Sequence, residues 1–238
     1  MSEEALNCDP REIAKFEELA ARWWDPQGEC RPLHEINPLR LAFIEDHVTL
    51  AGKDVVDVGC GGGLLAEAMA ARGARVTGID MAEASLQVAR LHTLESGVAV
   101  DYRCLTAEAL SQERPGAFDV VTCMELLEHV PDPASLVTAC ARLARPGGHV
   151  FFSTLNRNPK AYLFAIVGAE YLLRLLPRGT HDYACFIRPS ELAAWMRRAG
   201  LALRHMGGLG YNPLTRRYFL GSDVSVNYLV HGVRDEDC

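Results

Sequence analysis

Short apolar runs alternate with amphipathic stretches along most of the 238-residue chain. The apolar runs are rich in β-branched residues, which is typical of buried parallel strands, and the stretches between them have helical spacing. Strands are predicted in this way over residues 55–58, 75–80, 98–102, 118–123 and 149–154. Helices are predicted between them over residues 64–70, 82–96 and 134–144. The alternation favours a parallel sheet with right-handed crossovers.

Two helices are predicted before the first strand, together about residues 10–48. Apolar positions over residues 10–24 have helical spacing, and Asp9 is the predicted N-cap. This helix either docks on the core or covers the active site as a lid. The second helix, over residues 37–48, has Asn37 as its predicted cap and Arg40 close to its start.

The C-terminal part predicts a helix over residues 189–200 and strands over residues 201–207 and 224–231. These two strands are close enough in sequence to form a hairpin-like sheet edge. An insertion of about residues 156–184 precedes them and is too long for an ordinary connection. The chain shows neither an internal repeat nor a second core, so residues 1–238 are predicted to form a single domain.

Composition narrows the functional classes. The net charge is −7 and there is no block of Lys and Arg, which argues against a nucleic-acid partner because phosphate binding needs clustered cations. The chain has no recognisable signal peptide and no apolar run of about 18 residues, so we expect a cytoplasmic protein. Its eight cysteines form no C-x-x-C pair and indicate free thiols, with neither a disulfide framework nor a zinc site.

A glycine-rich turn follows the first predicted strand. Gly59, Gly61 and Gly63 fill a G-x-G-x-G pattern, whereas the G-x-G-x-x-G pattern of dinucleotide folds would need glycine at Leu64. An NAD-dependent oxidoreductase is therefore disfavoured. Asp80 ends the second strand, where an acid is placed to accept hydrogen bonds from ribose hydroxyls. The pattern predicts an adenosine-type site.

Four motifs in this order resemble class I S-adenosylmethionine-dependent methyltransferases. They are DVGCGGG at 57–63, GID at 78–80, FDVV at 118–121 and RPGG at 145–148. Further segments closely resemble the ubiquinone-biosynthesis O-methyltransferase family. They are RWWD at 22–25, HEINPLR at 34–40, MELLEHVPDP at 124–133, STLNR at 153–157 and GTHD at 179–182.

The resemblance implies an α/β, Rossmann-like fold, with a mostly parallel seven-stranded sheet, helices on both faces and an antiparallel edge strand. It also implies O-methylation of two substrates, a 2-polyprenyl-6-hydroxyphenol and 3-demethylubiquinol. By family pattern, S-adenosylmethionine is contacted by Arg40, Gly59, Asp80 and Met124, and the turn adds Gly61. An arginine at that place could hold the cofactor carboxylate through a two-pronged pair.

Glu125, Glu128 and His129 are the candidate catalytic and metal-binding groups. If their segment is helical, they share one face and could hold Mg²⁺ that binds and acidifies a catechol. Eukaryotic relatives in the resembled family are thought to use such a magnesium site. Alternatively, His129 accepts the phenolic proton itself, or the glutamate pair lowers the cost of ionising the phenol; His129 and Glu128 are the predicted catalytic residues.

Residues 160–176, within the insertion, are mostly apolar and are flanked or interrupted by basic residues. They form either a buried lid helix or a contact with the inner face of the membrane, where a tailed substrate resides. Other quinone-biosynthesis enzymes are further candidate partners. Two alternatives to the main hypothesis remain open: a methyltransferase of another small molecule, and a non-catalytic lipid-binding component of a quinone-synthesis complex.

Overall fold

The sheet is built on strands whose side chains are buried on both faces. The computed structural model describes residues 7–162 and 183–236. Val55 and Val56 of the first strand and Val120 and Val121 of the fourth are fully buried and lie side by side in a parallel register. Strands covered on both faces read as continuous apolar runs, which is the pattern in the sequence.

The described residues contain eight strands and eight helices. In chain order, β1 to β8 are Asp54–Val58, Arg75–Asp80, Val100–Cys104, Phe118–Met124, Ala144–Leu155, Leu201–Asn212, Arg217–Gly221 and Asn227–Arg234. In chain order, α1 to α8 are Pro10–Leu19, Arg31–Glu45, Leu64–Ala70, Glu83–Ser96, Ala107–Glu113, Pro133–Leu143, Pro159–Ala161 and Pro189–Arg198.

The strands form one sheet in the order β3-β2-β1-β4-β5-β8-β6-β7. The strands β1 to β5 are parallel, and β8 pairs antiparallel with both β5 and β6. Successive strands are added toward one edge of the sheet from β1 to β3 and toward the other edge from β4 on, so the strand order reverses between β1 and β4. Ligands of open α/β sheets bind at the carboxyl ends of the strands beside such a point. The predicted parallel arrangement of the first five strands is confirmed.

The sheet has eight strands where seven were expected. The strand β6 continues to Asn212, five residues beyond the predicted end, and the chain then turns through Arg216 at φ +53° and returns as β7. Leu209 of β6 lies opposite Leu220 of β7. The hairpin β6–β7 therefore forms the sheet edge, while β8 lies inside the sheet.

Helices pack on both faces and enclose two buried clusters. One cluster joins α5, α6 and α8 to the sheet, and the other joins α2, α3 and α4 to the opposite face. Full burial of one Leu, Ile, Val or Phe side chain contributes about 1.5–3 kcal/mol relative to exposure, so these clusters are the main source of stability.

The helices before β1 differ in part from the prediction. Asp9 caps α1 as expected and accepts a hydrogen bond from the Arg11 amide, but α1 ends at Leu19 and is followed by a 3₁₀ turn, Ala20–Arg22. The second helix begins at Arg31 rather than residue 37. Asn37 is consequently not a cap: it lies inside α2, and its amide nitrogen donates to the Leu64 carbonyl at 2.9 Å.

Two further expectations concern the insertion and the third strand. Most of the apolar segment predicted over residues 160–176 lies outside the described residues. Within residues 7–162 and 183–236, we find no helix that combines the length and the apolar character needed to cross a bilayer. The strand β3 begins two residues later than predicted, at Val100.

Candidate active site

A cavity of about 740 Å³ opens at the carboxyl ends of β1, β2 and β4. Its walls come from the glycine turn after β1, from α1, from the start of α5, from the segment after β4 and from the β6–β7 hairpin. A cavity of this size is typical of sites for small molecules and cofactors. Its lining includes both the predicted cofactor-binding residues and the predicted catalytic residues.

The turn between β1 and α3 needs its glycines. Gly59, Gly61 and Gly63 have φ values of +72°, +51° and +90°, in the left-handed region that other residues rarely adopt. A Cβ atom at Gly61 would lie 2.3 Å from Cζ2 of Trp23, whose ring packs on the turn. The turn therefore needs glycine both for its backbone conformation and for the close packing of Trp23, and Gly59, Gly61 and Trp23 all line the cavity.

Asp80 lies at the end of β2 and organises the same turn. Its Oδ2 accepts a hydrogen bond from the Gly61 amide and its Oδ1 one from the Ala82 amide, both at 2.8 Å. Burial raises the pKa of Asp80 above its ordinary value, against the effect of these backbone hydrogen bonds. Because a carboxylate offers about four acceptor positions, the side chain can still accept hydroxyl donors from a ligand in the cavity.

Arg40 is buried, and its guanidinium forms an ion pair with Glu125 directly after β4. Neither Nε of Arg40 nor Oε1 of Glu125 has a hydrogen-bond partner among the described residues, although both atoms are buried. Glu125 also has a left-handed backbone at φ +48°. Buried atoms without partners are uncommon, so this pair has unused hydrogen-bonding capacity toward a ligand.

Met124 is the last residue of β4 and lines the cavity together with Gly59. The adjacent Leu126 packs against the turn, since a Cβ atom at Gly59 would lie 2.7 Å from its Cδ2. The segment after β4 and the glycine turn are therefore in contact.

Glu128 and His129 belong to a 3₁₀ turn, Leu127–His129. Oε2 of Glu128 accepts a hydrogen bond from the Thr154 hydroxyl at 2.7 Å, and its buried Oε1 has no partner in the described part of the chain. Burial raises the pKa of Glu128. Nδ1 of His129 lies 2.8 Å from Oε2 of Glu12, which reaches it from α1.

The expected metal site at Glu125, Glu128 and His129 is not formed. The helical spacing on which it depended is absent, because the backbone is left-handed at Glu125 and only a short 3₁₀ turn follows. The three side chains instead bind Arg40, Thr154 and Glu12, respectively. Over residues 7–162 and 183–236, no group of three His, Cys, Asp or Glu side chains could hold a metal ion.

Sequence reasoning missed Asp57 and Glu12. Asp57 lies inside β1, where its Oδ1 accepts a hydrogen bond from the Thr122 hydroxyl at 2.6 Å. Burial raises its pKa to about 7, although that hydrogen bond and the charge of Arg40 act in the opposite direction. An acid in an otherwise apolar strand was the available signal for Asp57, but Glu12 reads only as a helix-start residue.

The site fits S-adenosylmethionine better than it fits a divalent metal ion. Gly59 and Gly61 bring the main chain to the cavity wall, Asp80 offers acceptor positions beside them, and Arg40 offers an unused donor in the same cavity. These are the groups needed for a nucleoside with a charged amino-acid end. Mg²⁺ needs several oxygen ligands arranged around one point, and the described residues offer no such group of side chains.

Comparisons with known proteins identify relatives of this chain. A family model described as a methyltransferase domain matches residues 18–206. A ubiquinone biosynthesis O-methyltransferase of Azotobacter vinelandii is 69% identical over 230 residues, covering 97% of this chain and 99% of the relative. A protein of the same name from Stutzerimonas stutzeri is 67% identical over 229 residues, covering 96% and 99%.

Among solved structures, the chain is similar to magnesium protoporphyrin IX methyltransferase from Synechocystis PCC 6803 with bound SAH. The TM-score is 0.69 at 18% identity, and the match covers 93% of this chain and 95% of that one. Identity at this level supports the fold alone, and the fold is the expected class I methyltransferase architecture.

Proposed function

Because the chain belongs to the ubiquinone biosynthesis O-methyltransferases, we propose that it methylates the phenolic hydroxyls of 2-polyprenyl-6-hydroxyphenol and of 3-demethylubiquinol. One observation carries the proposal. The glycine turn with Asp80 and the segment with Glu128 and His129 line a single cavity, so a methyl donor and a phenol would meet there. Holding two reactants in one geometry removes much of the entropic cost of a bimolecular step.

S-adenosylmethionine is the proposed cofactor, and it supplies an electrophilic methyl group on a sulfonium sulfur. Asp80 accepts hydrogen bonds from its ribose hydroxyls. Gly59 and Gly61 allow close approach of the main chain, and Met124 packs beside them. Arg40, whose Nε is unpaired, would donate to the carboxylate end, and Glu125, whose Oε1 is unpaired, would accept from the ammonium group. Both members of this ion pair then interact with a group of opposite charge.

The protein must lower the cost of ionising the phenol. A phenol has a pKa near 10, so ionising it at pH 7 costs about 4 kcal/mol. His129 accepts the phenolic proton as general base, a role that typically contributes about 10²–10⁴-fold. Glu128 binds the neighbouring hydroxyl of the substrate through Oε1, which is buried and unpaired. No step passes through a metal ion, since the candidate ligands are held by other side chains.

The isoprenoid tail and the membrane concern a different part of the chain. We propose that residues 160–176 meet the inner face of the membrane and place the enzyme peripherally there, near other enzymes of quinone synthesis. Replacing Leu172 and Leu176 by Glu should reduce recovery with anionic liposomes in a flotation assay. The matched control replaces Leu94, 80% exposed on α4, by Glu. Equal recovery of both variants would overturn this part of the proposal.

The function is tested by turnover with short-tailed analogues of both substrates. We expect S-adenosylmethionine-dependent formation of a methyl ether, detected by mass spectrometry, and no reaction with a nicotinamide cofactor. His129→Ala should reduce kcat by at least about 100-fold, while His34→Ala, outside the cavity lining, serves as the histidine control. Failure of the wild-type protein to methylate either phenol would contradict the proposal.

A further inference from the structure

An ion-pair geometry links the N-terminal helix to the candidate base. Oε2 of Glu12 lies 2.8 Å from Nδ1 of His129, across 117 positions of sequence. Both side chains are largely buried, with 22% of the Glu12 side chain and 12% of the His129 side chain exposed, and both line the cavity. The ring of Phe16, one turn along α1, meets the His129 imidazole edge to face at 5.3 Å.

This contact decides which nitrogen of His129 carries a proton. Burial acts to raise the pKa of Glu12, but the hydrogen bonds from Lys15 and His129 outweigh it and hold the pKa below its ordinary value. The carboxylate is therefore an acceptor at neutral pH, and Nδ1 donates to it. A neutral imidazole protonated at Nδ1 has its lone pair at Nε2, the state that a general base needs.

The N-terminal segment that carries Glu12 also forms hydrogen bonds to Asp132, three residues beyond His129. The side chain of Asn7 accepts a hydrogen bond from the Asp132 amide and donates to the Asp132 carbonyl, both at 2.8 Å. It also donates to Glu108 at 2.8 Å. The segment that carries Glu12 is consequently held both at His129 and at Asp132, three residues beyond it, as a fixed orienting group requires.

We propose that Glu12 is a positioning residue for methyl transfer, which holds His129 in the tautomer whose Nε2 accepts the phenolic proton. This rests on the proposed function. The phenolic oxygen bonds to the methyl carbon as the carbon–sulfur bond breaks and its electron pair goes to sulfur. The phenolic proton moves to Nε2, and the imidazolium that forms is stabilised by the Glu12 carboxylate.

The test compares two substrates that differ in their need for a base. One is a short-tailed catechol, un-ionised at the assay pH, and the other is its nitro-substituted analogue, already ionised there. Glu12→Gln is the main variant, because the amide can donate to Nδ1 and favour the opposite tautomer. Glu18→Gln, at an exposed acid on the same helix, makes the same change in charge away from His129.

For Glu12→Gln we expect kcat to fall on the order of 10- to 100-fold on the catechol, with KM nearly unchanged, and less than about threefold on the nitro analogue. Glu12→Asp should recover part of the loss, and Glu18→Gln should match the wild type on both substrates. Because paired residues act as a unit, Glu12→Gln should add little to His129→Ala.

A loss that is equal on both substrates, or absent on both, would overturn the role of Glu12. If Glu12→Gln fails to fold, as judged by circular dichroism, Glu12→Asp decides by the same comparison. His129→Ala separates this inference from the proposed function. A substrate-dependent loss with His129→Ala but not with the Glu12 variants leaves the base in place and removes Glu12 from the mechanism, whereas a wild-type protein inactive on both phenols contradicts the function itself.

Discussion

Replacing Gly61 by Ala tests how closely Trp23 packs on the glycine turn. A non-glycine residue in the left-handed region costs about 1–2 kcal/mol, and Gly61 has φ +51°. The new Cβ atom would also lie 2.3 Å from Cζ2 of Trp23, whereas carbon atoms normally pack at about 3.5–4.0 Å. The ring must therefore move by more than about 1 Å, and overpacking of this kind costs about 1–3 kcal/mol.

Gly52 offers a matched control for the backbone term alone. It has φ +74°, and a Cβ atom there would meet nothing within 4 Å. In equilibrium urea denaturation, we expect Gly52→Ala to lower the free energy of unfolding by about 1–2 kcal/mol and Gly61→Ala to lower it by about 2–5 kcal/mol. Calorimetry should show weakened binding of S-adenosylmethionine for Gly61→Ala only. Equal destabilisation, together with wild-type affinity in Gly61→Ala, would refute the packing of Trp23 on this turn.

Three other perturbations follow from buried charges. Burial raises the pKa of Glu128 above its value in the unfolded chain, so the folded state becomes less stable as pH rises and the carboxyl group must ionise. Glu128→Gln should therefore increase the free energy of unfolding at pH 7 but not at pH 4, and it should lower turnover. Arg40→Met should lower the free energy of unfolding by about 3 kcal/mol, because it leaves the half-buried Glu125 carboxylate unpaired. The Arg40→Met/Glu125→Met double variant should recover part of this loss in denaturation experiments. Burial lowers the pKa of His231 to about 3, so the wild-type protein should lose stability as pH drops from about 6.5 toward 3. His231→Gln should flatten that decline in thermal unfolding scans. A variant whose stability depends on pH as the wild type's does would contradict this role of His231.

Local signals were sufficient to predict the first strand, the glycine turn and the position of Asp80 beside it. The apolar run before Gly59 predicts β1, the spacing of the glycines predicts the turn, and Asp80 at the end of the next strand follows from the sheet order. All of these are short-range patterns. The structure brings the Gly61 amide onto Asp80 as that order implies.

Tertiary contacts, which local sequence patterns do not show, determine where α2 begins and how the segment after β4 is arranged. Asn37 before Pro38 is a strong local sign of a helix start, yet the Asn37 amide is used by the Leu64 carbonyl and the helix begins at Arg31. Likewise, Glu125, Glu128 and His129 were expected to share one face because their segment was taken to be an α-helix. The left-handed backbone at Glu125 breaks that spacing, and the partner of His129 comes from a helix more than a hundred residues away.

The strand β7 was missed for a related reason. Its five residues alternate between exposed and half-buried, and its apolar run, residues 218–220, is only three residues long, which is too short to predict a strand. It is held as a strand by pairing with the end of β6, and it contributes Tyr218 and Phe219 to the cavity wall. Edge strands of this kind depend on their partner more than on their own composition.

The central claim is that S-adenosylmethionine lies on the glycine turn with its ribose held by Asp80. Isothermal titration calorimetry of the wild type, Asp80→Ala and the exposed control Asp101→Asn tests it directly. Hydrogen bonds to a charged group contribute about 1.5–3 kcal/mol, so Asp80→Ala should weaken binding about 10- to 100-fold while Asp101→Asn binds as the wild type does. A wild-type protein that does not bind S-adenosylmethionine, or an Asp80→Ala variant with unchanged affinity, would contradict the account.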